Sequence, residues 1–345
     1  MPGDVQFLSQ FVLSIPAEHI VFPEELGDLK YTVVCKLDGK TLELQDAAAF
    51  LCYSDDIYVS KENVYATRSY TAREEEPGNG VSKTVTEISS VSYTGDKMRF
   101  NGSVIVEGAV KDQYSMDEFD GILRVVTSTN KTTTSTNGDT AGLTLSRNVN
   151  LYCIDLATWE VAASVVGFAP ENEQAESVRF DGYTAYVCTA EVVTLQDPVY
   201  YFDLSDLNNI TWKDTGTIDG YSSSLVQLGD GYLMGIGYGS NRFLKIEIYR
   251  ETEDGVTSVY SYEADMYFYD EYKSYLIDRE NRLVGLLVVD YPTAEEFYML
   301  LQFDGYELRE IVKTPFKGNY IDTRAALIDG YLYMLGMEFK VEKVW

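Results

Sequence analysis

Six two-residue turn signals recur along this chain of 345 residues, and each is followed by residues that alternate between apolar and polar. The signals are Glu62-Asn63, Asp120-Gly121, Asp181-Gly182, Asp230-Gly231, Glu280-Asn281 and Asp329-Gly330. They recur at intervals of 49 to 61 residues. Asp-Gly favours a tight hairpin, because the two-residue turns that join twisted strands need a left-handed backbone. A period near fifty that starts with a hairpin indicates a repeated β unit.

The second half of each unit also reads as two strands joined by a polar turn. Examples are residues 150–167, 198–216, 243–262 and 297–314. Each repeat is therefore predicted to be an antiparallel meander of four strands, which is the blade of a β-propeller. We expect an all-β fold with a single domain, residues 1–345, and about six blades.

The two ends of the chain carry unpaired halves of this unit. Residues 31–49 read as an outer hairpin, whereas residues 323–345 supply inner strands without a full second half. We expect residues 31–49 to join the C-terminal strands, so that the last of six blades is shared and no long edge is exposed. Residues 1–30 would then be an N-terminal segment and residues 50–345 the repeats. The alternative is seven blades, if residues 4–16 begin a blade of their own.

Two polar stretches lengthen the first two intervals. Residues 73–83 are rich in Glu and Gly. Residues 127–142 are rich in Ser, Thr, Asn and Gly. Their low hydrophobicity predicts poorly ordered loops within the ring.

The charge of the chain restricts its partners. Asp and Glu outnumber Lys and Arg by 55 to 27, which gives a formal net charge of −28. Such a field repels phosphate backbones, so we expect no nucleic-acid partner. The chain has no apolar run of transmembrane length, so no direct membrane insertion is expected. The start of the chain lacks the basic region of a signal peptide, which predicts a cytosolic protein or a targeting segment that has been removed.

Metal and nucleophile motifs are sparse. His19 is the only histidine, and Cys35, Cys52, Cys153 and Cys188 show no metal-binding spacing. The sequence therefore predicts free thiols, no metal site, no cofactor and no catalytic residue.

Several short motifs of the chain resemble those of a known protein family. "YSMDEFDGILR", "AESVRFDG", "DPVYYFDLSD" and "GYSSS" follow one another in the order seen in a family of bacterial secreted or cell-surface proteins. The chain resembles the C-terminal β-propeller domain of that family, which is distantly related to WD40 repeats. It departs from the family at residues 271–276, where the family often has a histidine. The resemblance implies an uncharacterised propeller that is secreted or lies at the cell surface.

These motifs supply candidate ligand contacts, which are Asp117, Glu118, Arg124, Glu176, Arg179 and Lys273. The predicted function is a non-catalytic extracellular or cell-envelope scaffold that binds a protein or a glycan. The alternative is a carbohydrate-active enzyme, a glycosidase or a lyase, built on the same fold. A structural interpretation of the six residues also stays open, because repeated charged residues in strands often pair with one another and tie neighbouring blades.

Overall fold

The computed structural model describes residues 15–24, 30–76, 79–137, 140–191, 196–252, 255–319 and 321–345. Within these ranges the chain forms β-strands and three single-turn 3₁₀ segments, Ala17–His19, Gln113–Ser115 and Tyr272–Ser274. All strand pairs are antiparallel except one. The predicted all-β class is confirmed.

The chain begins with a small N-terminal sheet and two linked blades. The N-terminal sheet contains β1 (Ile20–Val21), β2 (Thr32–Leu37) and β3 (Leu44–Phe50) in the order β1-β3-β2. The second blade contains β4 (Ile57–Val59), β5 (Asn63–Glu76), β6 (Asn79–Ser92) and β7 (Arg99–Glu107). The third blade contains β8 (Met116–Phe119), β9 (Ile122–Asn137), β10 (Thr140–Asp155) and β11 (Glu160–Val166).

Three further blades and a C-terminal sheet follow. The fourth blade contains β12 (Glu173–Asp181), β13 (Thr184–Glu191), β14 (Gln196–Asp203) and β15 (Thr211–Asp219). The fifth contains β16 (Tyr221–Gly229), β17 (Tyr232–Tyr238), β18 (Leu244–Thr252) and β19 (Gly255–Glu263). The sixth contains β20 (Met266–Phe268), β21 (Leu276–Asp278), β22 (Leu283–Asp290), β23 (Glu296–Phe303) and β24 (Leu308–Pro315). The C-terminal sheet contains β25 (Arg324–Ile328), β26 (Tyr331–Leu335) and β27 (Phe339–Lys343).

The six turn signals lie where the sequence predicts them, each at a turn between two paired strands. These pairs are β4–β5, β8–β9, β12–β13, β16–β17, β21–β22 and β25–β26. In three of the turns both residues have a left-handed backbone; for example, Asp120 has φ 51° and Gly121 has φ 77°. The Asp230-Gly231 and Asp329-Gly330 turns have the same conformation. This is the two-residue hairpin turn whose twist matches that of its strands.

Buried apolar clusters join each sheet to the next one along the chain. Phe50 of the N-terminal sheet packs in one cluster with Val64 of the second blade. At the other end, Leu300 of the sixth blade and Leu332 of the C-terminal sheet share a cluster. The sheets therefore stack face to face in chain order, as the blades of a propeller do.

The predicted sharing of the last blade is wrong. β2 pairs with β3, and β1 occupies the other edge of β3 in a parallel pairing. Among the described residues, no ladder joins these strands to β25, β26 or β27. The described residues form seven blade-like units instead of the predicted six, when the second and third blades, which share one sheet, are counted separately. The premise of the seven-bladed alternative, a blade begun by residues 4–16, lies outside the described residues apart from residues 15 and 16.

Local contacts explain why residues 31–49 form their own sheet. The Asp38 carboxylate accepts hydrogen bonds from the backbone N–H groups of Lys40 and Thr41, which fixes the turn between β2 and β3. Ala48 is buried against the second blade. The hairpin is thus stabilised by its own turn and by the blade that follows it, rather than by the distant C-terminus.

The loop prediction for the two polar stretches is also wrong. Apart from residues 77–78 and 138–139, which the structure does not describe, residues 73–83 lie in the strands of the β5–β6 hairpin. Residues 127–142 lie in the strands of the β9–β10 hairpin. The two hairpins pair with each other, residues 79–83 with residues 131–135, and so merge the second and third blades into one eight-stranded sheet. The many threonines account for this outcome, because β-branched residues favour strands even when they are polar.

Candidate functional site

Strands β12, β16 and β21, of the fourth, fifth and sixth blades, meet the segment before β8 around one cavity of about 350 Å³. The third and sixth blades are not neighbours in the stack, so a cavity that both of them line lies near the axis of the ring. We call it the axial cavity. Its lining residues are Lys111, Asp112, Tyr114, Ser177, Val178, Arg179, Ser223, Ser224, Leu225, Val226, Asp270, Tyr272, Tyr275, Ile277 and Arg279.

Two tyrosine rings meet across this cavity. Tyr114 lies in the 3₁₀ turn before β8 and Tyr272 in the 3₁₀ turn before β21. Their ring centroids are 4.9 Å apart at an interplanar angle of 89°. The Asp112 carboxylate orients the first turn by accepting a hydrogen bond of 2.9 Å from the Tyr114 N–H. Two blades that are far apart in sequence therefore present one aromatic pair.

Two arginines line the same cavity without an ion pair to any described carboxylate. The Arg179 Nη2 donates a hydrogen bond of 3.1 Å to the side-chain oxygen of Gln227, and the buried Arg179 Nε has no hydrogen-bond partner. Burial, followed by the charge of Arg279, lowers the pKa of Arg179. The Arg279 guanidinium makes no hydrogen bond or ion pair with a described residue. The donors of both guanidinium groups are therefore available for an anionic acceptor.

The carboxylates of the axial cavity are held by their own surroundings. Asp270 Oδ1 accepts hydrogen bonds from the Ser223 hydroxyl at 2.7 Å and from the Tyr275 hydroxyl at 2.9 Å. Burial and, after it, the Asp270 charge raise the pKa of Tyr275 well above its ordinary value, so this hydroxyl stays protonated and donates. The bond from Ser223 connects the fifth blade to the segment between β20 and β21 of the sixth.

A second cavity of about 320 Å³ adjoins the axial cavity. Tyr114, Val178 and Arg179 line both of them. Asp117 and Tyr58 contribute to the second cavity alone. Arg179 thus lies at the boundary between two open volumes.

Comparison with known proteins identifies the family. A family model described as "Beta propeller domain" matches residues 9–255. The chain belongs to the β-propeller domain family. The secreted location that the sequence resemblance implies stays a prediction, as does the relation to WD40 repeats.

Sequence relatives of this propeller are themselves uncharacterised. An uncharacterized protein of Archaeoglobus fulgidus is 28% identical over 251 residues, which are 70% of this chain and 35% of the relative. An uncharacterized protein of Methanocaldococcus jannaschii is 26% identical over 236 residues, 67% of this chain and 34% of the relative. The chain thus matches about a third of the length of these relatives.

Solved structures resemble the propeller only distantly. One is a functionally unknown protein from Desulfotomaculum acetoxidans, with a TM-score of 0.48, 12% identity and coverage of 90% of this chain and 92% of the other. Another is a Bacteroides uniformis protein named "putative 6-phosphogluconolactonase", with a TM-score of 0.46, 11% identity and coverage of 91% of both chains. At these scores the similarities carry no argument about function.

Two of the six predicted contact residues, Arg124 and Glu118, form contacts between blades, and a third, Asp117, pairs with Arg124 within the third blade. The Arg124 guanidinium donates to the Asp117 carboxylate and to the Gly182 carbonyl, so it joins the third blade to the fourth. Glu118 Oε2 accepts hydrogen bonds from the hydroxyls of Ser60 and Tyr65, both at 2.6 Å, and joins the third blade to the second.

The other three lie at or near the axial cavity. Glu176 accepts a bond of 2.9 Å from the Lys111 ammonium, which lines the cavity. Arg179 lines the cavity directly. Lys273 is exposed, and its ammonium lies 5.4 Å from the centre of the Tyr272 ring. A ligand contact by any of the six stays a prediction.

The sequence interpretation missed Arg279, Tyr114, Tyr272 and Asp270. One signal was present, since Asp112-Gln113-Tyr114 and Asp270-Glu271-Tyr272 repeat the pattern Asp-x-Tyr before the first strands of two blades. Among the described residues, no group of three or more His, Cys, Asp or Glu side chains is arranged to hold a metal ion. No helix in the described part of the chain has the length and apolar character needed to cross a membrane.

Proposed function

We propose that this propeller is a non-catalytic binding module, secreted or at the cell surface, whose glycan or protein ligand enters the axial cavity. The observation that carries the proposal is the pair of arginines, Arg179 and Arg279, which line one cavity with guanidinium donors that no described carboxylate occupies. The location rests on the sequence resemblance.

The electrostatics of the whole chain support this choice of site. The net charge of −28 means that carboxylates are abundant, yet none of the described ones forms an ion pair with either arginine. The buried Nε of Arg179, which has no described partner, lowers stability unless a ligand satisfies it, and concave sites with such donors are where binding groups are found.

The engaged state of the carboxylates favours binding over hydrolysis. A glycosidase needs one carboxylic acid and one carboxylate, both directed at the scissile bond. Here Asp112 holds the turn that carries Tyr114, and Asp270 holds Ser223 and Tyr275. Both side chains already position protein groups, which supports a scaffold role.

The experiment is a screen of the purified chain on arrays of glycans and of extracellular proteins, repeated with a variant that fills the cavity. Ser224→Trp places an indole at the cavity wall, and Ser261→Trp places the same side chain on the exposed outer strand of the same blade. We expect a ligand whose binding is lost in Ser224→Trp and kept in Ser261→Trp, with both variants melting close to the wild type. Binding that survives Ser224→Trp, absence of any ligand, or glycoside turnover that Asp270→Asn abolishes would contradict the proposal.

A further inference from the structure

We propose that the axial cavity recognises a sugar acid, that is, a polyhydroxylated ligand with one carboxylate, such as a uronic acid residue of an acidic glycan. This inference rests on the binding function proposed above and names the chemistry of the ligand. Three features of the cavity wall select it: an arginine pair, two carboxylates with an unused oxygen each, and an aromatic pair.

The arginine pair selects the carboxylate. A guanidinium group presents planar N–H donors that match the two oxygens of a carboxylate. Arg179 contributes a buried Nε that lacks a partner, and Arg279 contributes a guanidinium that makes no bond to a described residue. Burial, and after it the charge of Arg279, lowers the pKa of Arg179, and a negative charge between or beside the two groups offsets the repulsion between them.

The carboxylates select hydroxyl groups. All the hydrogen bonds that the carboxylates of Asp112 and Asp270 accept from described residues go to their Oδ1 atoms. Their Oδ2 atoms are therefore free to accept from a ligand, and an ionised carboxylate accepts but does not donate. A ligand that fits must bring hydroxyl donors as well as its own anionic group.

The same two carboxylates argue against a phosphate. A dianion in this cavity would experience repulsion from both Asp112 and Asp270, in addition to the field of a chain with net charge −28. A single carboxylate carries half of that charge. The wall thus favours a monoanion over a phosphorylated ligand.

The tyrosines and the size of the cavity fit a sugar ring. Tyr114 is 43% exposed, and its ring meets Tyr272 edge to face, so aromatic surface remains open beside the arginines. The C–H face of a pyranose is an apolar surface that packs on such rings. A volume of about 350 Å³ lies at the small end of the range of about 300 to 1,000 Å³ for ligand sites, which suits a single terminal sugar.

The test is isothermal titration of the full chain with D-glucuronate and D-galacturonate. The comparison ligands are the methyl ester of glucuronate, neutral glucose and galactose, inorganic phosphate, and an acidic dipeptide with blocked ends. We expect at least one uronate to bind, and its uncharged methyl ester to bind about tenfold more weakly, because a charge-assisted hydrogen-bond pair is lost.

Three variants assign the binding to the cavity. Arg279 lies at an exposed turn, so we expect Arg279→Gln to retain the fold and to weaken uronate binding about tenfold. Arg179→Gln should do the same. Arg309→Gln is the matched control, because Arg309 is exposed, pairs with Asp304 and Glu307, and lies outside the cavity. It should bind like the wild type.

The outcomes separate this inference from the function on which it rests. Equal binding of a uronate and its methyl ester, tighter binding of phosphate or of the dipeptide, or no binding of either uronate would overturn the sugar-acid inference. The binding function would still stand if an array ligand is lost in Ser224→Trp. If the arrays also yield no ligand, both proposals fail.

Discussion

The contact between the third and fourth blades and the axial cavity beside it each contain an arginine, but the two arginines differ in their partners. Arg124 is 3% exposed and donates to the Asp117 carboxylate and the Gly182 carbonyl. Its guanidinium also lies 5.0 Å from the Phe119 ring centre and 4.8 Å from that of Phe180. Arg179 donates to one described side-chain acceptor, the neutral amide of Gln227. The fold satisfies the first arginine and leaves the second available.

Like charges near the axis extend this contrast. After burial, the charge of Arg279 is the next cause that lowers the pKa of Arg179. Asp56 has a pKa raised to about 6 by burial first and then by Asp112 and Asp55. Elsewhere, in contrast, opposite charges meet: Lys111, before β8, pairs with Glu176 of the fourth blade, and Arg124 pairs with Asp117 within the third blade. Unfavourable charge pairs that persist in a folded protein are concentrated at sites of function, because selection there acts on binding rather than on stability.

The largest expected effect is at the satisfied arginine. Arg124→Met removes the guanidinium and leaves the Asp117 carboxylate and the Gly182 carbonyl without this donor. We expect the free energy of unfolding, measured by urea denaturation, to fall by about 3 kcal/mol. Arg309→Met at the exposed control position should change it by less than about 0.5 kcal/mol. Similar losses at both positions would remove the distinction between a structural arginine and a surface one.

A smaller effect concerns the crowded carboxylates near the axis. The folded-state pKa of Asp56 is about 6, above its ordinary value of 3.8, so the folded chain binds more protons than the unfolded chain between about pH 4 and pH 6. Stability therefore falls as the pH rises through this window. Asp56→Asn should be more stable than the wild type by about 1 kcal/mol at pH 7.5, an amount reduced by the partial exposure of the group, and the difference should vanish near pH 4.

The source of the Asp56 shift has its own measurement. Asp112→Asn removes a negative charge but retains a side-chain oxygen that caps the 3₁₀ turn. The pKa of Asp56, followed by carbon-13 NMR of its carboxyl group, should decrease in this variant without returning to 3.8, because burial is the larger cause. Parallel stability curves for the wild type and Asp56→Asn across the whole pH range would show that Asp56 is not under this strain.

The parts of the fold that the sequence predicts are those fixed by neighbouring residues. The hairpin turns follow from Asp-Gly chemistry within two residues, and Asp120-Gly121 and Asp329-Gly330 adopt the expected conformation. The two long hairpins were misread as loops, because their polar composition hides a strand preference that the pairing of β6 with β9 makes effective. The predicted pairing of the two chain ends is wrong, because the local turn at Asp38 pairs β2 with β3 instead of with the C-terminal strands.

The candidate site was predictable only in part, for the same physical reason. Arg179 lies within a recognisable strand motif, whereas Arg279 follows β21, 100 positions later in the chain. The sequence around either arginine gives no indication that the two side chains line the same cavity. The ring geometry of several blades brings them together, so the chemistry of the site appears only once the blades are placed.

The smallest expected effect is at the available arginine, and it completes the comparison. Arg179→Met uses the same substitution as Arg124→Met, but it removes one hydrogen bond to a neutral acceptor and one unpartnered Nε. It also relieves the repulsion from Arg279. These terms oppose each other, so the free energy of unfolding should change by less than about 1 kcal/mol.

A double-mutant cycle of Arg179→Met with Arg279→Met measures the coupling between the two groups directly. We expect the cycle to show repulsion that decreases as salt is added, because screening weakens the interaction of partly exposed charges. A favourable coupling, or a loss as large as that of Arg124→Met, would mean that the fold itself uses Arg179, and the cavity would then lose the donor on which its binding role depends.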